Sequence, residues 1–261
     1  MEVQRAISRN QMKAMLIGRF GWRPGLGSPG TGQSVRIRVP WWTVVSAGAA
    51  PALLVVGFLV AAMLQPVSYD SLRDTISALA ARGAADPWVM TAAIAAVGAC
   101  YLVTALGLSP ARSGGRLALA GGGIATLLIA AFPLPLHGYS RPHALAVIGA
   151  SATMCAWPIL AAHRQHRARL LRFGPNVAAS AVTFGLIMWF TFQVNGGDLG
   201  LAERCAALAP ALWLFPVAVG ARRALVPNDA VELAGGVRAT EGPGGFVELD
   251  RAYESSRAAV M

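Results

Sequence analysis

Six long apolar runs separated by short polar segments constrain this chain more than any other feature. They lie at about 42–65, 87–108, 116–134, 143–163, 175–195 and 202–221. As a helix rising about 1.5 Å per residue, each is long enough to cross a ~30 Å hydrocarbon core. No run alternates apolar and polar residues with period two, so barrel strands are not predicted. Composition points the same way. Of the 261 residues 55% are hydrophobic and 13% charged, where a soluble domain carries about a quarter charged. The expected fold is all-α: a polytopic membrane protein, a six-transmembrane-helix bundle spanning residues 41–222.

Local chemistry supports the boundaries. Asp86-Pro87 reads as N-cap and first-turn proline of the second run, and Pro142 and Pro175 open the fourth and fifth. Pro66 closes the first run, and Pro133 with Pro135 closes the third. Pro51, Pro158, Pro210 and Pro216 lie inside runs, where kinks or local unwinding are expected. Lipid supplies no hydrophobic drive between helices, so contacts are expected at small residues: Gly121, Gly122, Gly123, Gly149 and Ser151. Cys100, Cys155 and Cys205 have no CxxC spacing and read as small apolar residues, with neither a disulfide framework nor a zinc signature.

The formal net charge of +10 comes without a nucleic-acid recognition motif. Its distribution gives a membrane orientation instead. Seven Lys or Arg precede the first run, two lie between the second and third, four between the fourth and fifth, and five after the sixth. The other side holds only Arg73, Arg82, Arg141 and Arg204. Cytoplasmic loops carry the excess of positive charge, so both termini are expected in the cytoplasm of a multi-pass plasma-membrane protein. Residues 1–40 lack an apolar run of signal-peptide length and read as a flexible basic cytoplasmic arm. Met12 and Met15 leave an overlong start open as an alternative. The polar, Gly-rich stretch 223–261 reads as a disordered cytoplasmic tail.

The unusual residues fall on the outer side. In the first outer loop, Ser71-Leu-Arg-Asp74 fits a capping box with Ser71 as N-cap. Leu72, Ile76 and Leu79 then recur at helical spacing and Gly83 supplies a stop, which predicts a short amphipathic helix. Other outer ends add His137, Arg141, His143, Gln193, Asn195, Asp198, Glu203 and Arg204. Asp70, Asp74, His137, His143, Asp198 and Arg204 form a candidate polar cluster for a lipid headgroup, an anion or a proton. The plainer reading makes them solvated loop residues, Asp74 the cap itself, and Arg204 the partner of Asp70 or Asp74 in an ion pair. Arg204 stands out, because an Arg just inside a span is costly unless paired or snorkelling.

A metal on His137 and His143 needs a third ligand such as Asp70 or Asp74, and the two His do not share a helix face. No metal, cofactor or catalytic residue is therefore assigned. His163 and His166 sit in the basic loop His163-Arg-Gln-His-Arg167, whose expected role is contact with anionic headgroups. No GxSxG elbow, HExxH, P-loop or dinucleotide fingerprint occurs. His residues at span ends disfavour a haem pair, and no inverted repeat supports a transporter. Trp41, Trp42, Trp88 and Trp189 fit interfacial belts.

The run from Ser68 to Gly83, then Asp86-Pro-Trp-Val-Met90, resembles the first outer loop of the domain-of-unknown-function 998 family. Phe132-Pro-Leu-Pro135 with His137 and His143, and Gly200-Leu-Ala-Glu-Arg204 leading to Trp213, resemble it too. The resemblance covers about residues 42–222 and implies a six-span protein of a bacterial inner membrane with a shared outer face, but no activity. The Thr75-Ile-Ser turn is faintly similar to Frag1/DRAM/Sfk1 proteins, six-span proteins linked to lipid handling. The expected function is non-enzymatic engagement of a membrane lipid or envelope component through Arg204 and the Asp70–Asp74 segment. The alternatives are a lipid hydrolase or transferase centred on His137, His143 and Asp74, and a small-solute transporter.

Overall fold

In a computed structural model, residues 39–66, 68–135, 138–164 and 166–224 are described. Six helices are long and apolar enough to cross a membrane: α1 (Trp41–Met63), α3 (Pro87–Gly107), α4 (Ser113–Ala131), α5 (Arg141–Ala161), α6 (Phe173–Phe192) and α7 (Leu199–Arg223). Between α1 and α3 lies one turn of helix, α2 (Ile76–Leu79). The protein is an all-helical, multi-pass integral membrane protein. The expected basic arm and most of the expected tail fall outside the described residues.

Consecutive helices pack side by side from α1 to α5, and α7 returns against α1. Leu54, Met90, Leu119, Trp157 and Leu214 are buried between them. Leu106, Leu117, Leu145 and Phe184 are exposed on helix flanks, as lipid-facing positions require. Close approach occurs where side chains vanish. A Cβ on Gly98 of α3 would lie 2.9 Å from the Gly123 carbonyl of α4, and one on Gly123 would lie 2.8 Å from the Gly98 carbonyl. Gly122 of α4 is also tightly packed, since a Cβ there would run into the Met154 side chain of α5, whereas Gly121 and Gly149 meet their neighbours only at ordinary distances of 3.5 and 3.7 Å. Two glycines of the expected set are thus close-packed.

Hydropathy misplaces several helix ends by two or three residues, for a visible reason. Arg116 lies inside α4, and its guanidinium folds back onto the Ala105 and Leu106 carbonyls of α3 at 2.9 and 3.0 Å. A charge that lowers local hydropathy therefore satisfies the open carbonyls of the preceding helix end. The helices also run without a break through Pro51, Pro158, Pro210 and Pro216, so the expected unwinding does not occur. Asp86 precedes Pro87 in the left-handed region at φ 46° and gives no side-chain cap, contrary to expectation. Its carboxylate instead accepts from the Trp88 indole at 3.3 Å.

α6 buries Asn176, Ser180 and Thr183, a polar stripe at helical spacing. Asn176 secures its base, donating to the Leu170 and Arg172 carbonyls and accepting from the Trp213 indole. α6 thus turns its polar stripe to the bundle and Phe173, Val182, Phe184 and Phe192 outward.

Candidate functional site

The loop joining α1 to α3 is folded over one end of the bundle. Gln65 closes it. Its amide donates to the Ala85 carbonyl at 2.8 Å and accepts from the Ala85 N–H at 3.0 Å. Inside the loop, the Asp70 carboxylate accepts from the Leu72 N–H, and the Asp74 carboxylate accepts from the Asp70 N–H at 2.8 Å. The expected capping box on Ser71 is therefore displaced by one residue, with Asp70 in the capping role. α2 begins only after Thr75, whose hydroxyl accepts from the Ala78 N–H. The helix is shorter than the spacing of Leu72, Ile76 and Leu79 suggests. Ile76 and Leu79 are buried, while Leu72 is exposed.

The first turns of α7 hold this loop from below. The Leu201 N–H donates to the Leu72 carbonyl at 3.0 Å. Arg204, buried at 7% exposure, donates through Nη1 to the Ser71 and Asp74 carbonyls at 2.6 and 2.9 Å, and through Nη2 to the Tyr69 hydroxyl at 2.5 Å. Its guanidinium lies 5.4 Å from the Phe58 ring centre, within cation–π range. The Glu203 carboxylate accepts from the Ile76 N–H and, at 2.8 Å, from the Ser77 hydroxyl. Gly200 permits the close approach: a Cβ there would run into the Asp74 carbonyl and lie 2.8 Å from Arg204 Nη1. Burial raises the Tyr69 phenol above its ordinary pKa, and the neighbouring Arg204 partly offsets this.

Under the loop lies a cavity of about 140 Å³ bounded by all six spanning helices. Leu54, Ile94, Ile129, Val147, Ile187 and Ala207 supply apolar walls, one from each helix. Ser77 and Glu203 line its loop end, and the hydroxyl residues Tyr101, Thr126, Ser151 and Thr183 lie along it. A cavity this size holds an aromatic ring or a short alkyl segment, not a whole lipid.

The expected cluster is only partly assembled. Asp70, Asp74 and Arg204 meet in one network, but Arg204 takes backbone carbonyls and Tyr69 rather than the expected carboxylates. Among the described residues the ion pair at this end is Arg73 with Asp70 at 3.6 Å. His143 is buried elsewhere, its Nδ1 2.9 Å from the Phe132 carbonyl, and this ties the start of α5 to the end of α4. Asp198 is exposed ahead of α7 without a capping bond. His137 lies outside the described residues. No group of three His, Cys, Asp or Glu able to hold a metal occurs among the described residues. Sequence reasoning names Glu203 at the outer end but leaves it out of the cluster, and it misses Tyr69 and Phe58. The available signal is an acid beside Arg204 at the head of an apolar run.

A family model described as "Protein of unknown function (DUF998)" matches residues 48–220. The chain belongs to the DUF998 family. The match takes in the loop, the Gly200–Arg204 segment and every cavity-lining residue named above, so the whole site lies within the DUF998 region. No curated protein and no solved structure matches the chain.

Proposed function

We propose that this DUF998 protein is a non-enzymatic membrane protein that takes the apolar end of a lipid, or a comparably small apolar group, into the cavity beneath the locked loop. The observation that carries the reading is the cavity itself, with apolar walls from six helices and a carboxylate and a hydroxyl at its loop end. A chain that leaves the bilayer for such a cavity gains no hydrophobic free energy, because both environments are apolar. Selectivity must then come from shape and from Glu203 and Ser77. Arg204 is a lock in this reading, not a headgroup ligand, because both its terminal nitrogens donate to the loop. The Lys and Arg distribution supports placing both termini in the cytoplasm and the loop outside, in a plasma membrane.

Filling the cavity tests the proposal. Native mass spectrometry of the full chain released from mild detergent is expected to show one bound lipid or small apolar molecule. Ala207→Phe, which places a ring in the cavity, is expected to remove it while thermal unfolding stays close to the parent value. A bare parent protein, or undiminished retention by a folded Ala207→Phe, would overturn the reading.

A further inference from the structure

The opposite end of the bundle carries a second, differently built site. The segment between α5 and α6 is closed on itself: the His163 N–H donates to the Leu171 carbonyl at 2.8 Å, and Leu171 and Ala168 are buried. His163 Nε2 lies 3.0 Å from the Pro110 carbonyl, so this imidazole is committed to the α3–α4 turn. His166 is oriented by its own loop. Its Nδ1 accepts from the Ala168 N–H at 3.0 Å, which leaves the proton of the neutral ring on Nε2 as a donor. Arg172 donates through Nε to the His166 carbonyl at 3.1 Å, and its terminal nitrogens have no partner among the described residues.

Arg164, His166, Arg167 and Arg172 line a basin of about 530 Å³. Among the described residues no carboxylate lines it, and the acids among them, Asp70, Asp74, Asp86, Asp198 and Glu203, belong to the other end of the bundle. The 20-residue helix α6 starts beside it without a side-chain cap, and open space surrounds Gly174 in its first turn. The positive end of that helix adds to the field of three guanidiniums. A carboxylate satisfies one guanidinium fork. A phosphate, with its oxygens arrayed tetrahedrally, accepts from several donors approaching from different sides. An extended nucleic-acid backbone would need a stripe of charge rather than one basin.

We infer that the Arg164–His166–Arg167–Arg172 basin binds a phosphate group, carried by an anionic phospholipid or free in solution. The site is distinct from the cavity proposed above, and the two share no lining residue.

The test uses the full chain in nanodiscs, with the His166 imidazole observed by nuclear magnetic resonance and assigned through His166→Gln. One arm titrates inorganic phosphate into discs of phosphatidylcholine alone; the other replaces part of the phosphatidylcholine with phosphatidylglycerol. Movement of the His166 resonance with inorganic phosphate supports a free phosphate, and movement only with phosphatidylglycerol supports a headgroup. Arg164→Gln/Arg167→Gln removes two guanidiniums that make no hydrogen bond to the loop among the described residues, so the fold should survive. This variant is expected to weaken the response by about tenfold or more. A His166 resonance that moves in neither arm, or moves equally in the folded double variant, would overturn the inference.

Discussion

Glu203 and Arg204, adjacent on α7, hold the same loop by opposite chemistry. The carboxylate takes a backbone N–H at Ile76 and the Ser77 hydroxyl, while the guanidinium takes the Ser71 and Asp74 carbonyls. A segment with one turn of helix has few hydrogen bonds of its own, so its open donors and acceptors need partners from elsewhere. Two neighbouring side chains of a long helix supply both kinds. Each charge is costly near a membrane interior when alone. Here each is hydrogen-bonded to the loop that covers the cavity.

Removing either partner should therefore destabilise the protein. Glu203→Ala leaves the Ile76 N–H without its acceptor, and the loss is expected to be about 1–3 kcal/mol. Glu203→Gln keeps an acceptor oxygen and should cost less. Arg204→Lys retains the charge but not the fork that reaches two carbonyls and Tyr69 at once, so it should fall near the Ala variant rather than the parent. Thermal unfolding in detergent measures all three. Equal unfolding temperatures for Arg204→Lys and the parent would show that charge alone suffices.

Gly200→Ala is predicted to unlatch the loop without removing any polar group. Its Cβ would collide with the Asp74 carbonyl, a backbone atom that cannot rotate away. The consequence is readable by trypsin. Arg73 is exposed within the loop, and cleavage there requires local opening. Faster cleavage after Arg73 is expected in Gly200→Ala, with the helices themselves intact. A cleavage rate matching the parent would mean that the loop accommodates the methyl.

Much of the fold is legible because membrane spans are written in local composition: length, apolarity and Arg placement suffice to count six. The errors fall where local composition is silent. Arg116 depresses hydropathy at the start of α4, yet it caps the end of α3 across a turn. The sequence offers a capping box at Ser71, but in the docked loop the Asp70 carboxylate accepts from the Leu72 N–H and the Asp74 carboxylate from the Asp70 N–H. Arg204 stands out because a charge in an apolar run is conspicuous. The role of Glu203 beside it is hidden because its partners lie 126 and 127 residues away in sequence. His143 looks like a ligand on chemistry alone, but its ring is turned to the Phe132 carbonyl.

Two glycines of α4, two residues apart, should respond oppositely to the same added methyl. Gly121 has room, since an added Cβ would meet Thr153 Cγ2 at 3.5 Å, so Gly121→Ala should stabilise the helix by about 0.5–1 kcal/mol. Gly123→Ala drives a Cβ to 2.8 Å from the Gly98 carbonyl and 2.9 Å from Leu102 Cγ, forcing α3 and α4 apart. It should lower the unfolding temperature, by an overpacking cost of about 1–3 kcal/mol. Equal shifts in the two variants would contradict the close packing of Gly123 against Gly98 of α3.

The two ends of the bundle should lose stability at opposite ends of the pH scale. His166 is held below its ordinary pKa of 6.5, first by burial and then by the neighbouring His163. Its folded state binds a proton more weakly than the unfolded chain, so stability is present above about pH 6.5 and is lost as pH falls through the lowered folded value. Tyr69 is shifted upward from 10.0, so its contribution is present below that value and is lost as pH rises through the raised folded pKa. Unfolding temperature measured against pH should therefore fall on both sides of a plateau. His166→Gln should flatten the acid limb alone and Tyr69→Phe the alkaline limb alone. An acid limb unchanged in His166→Gln would place the responsible proton elsewhere.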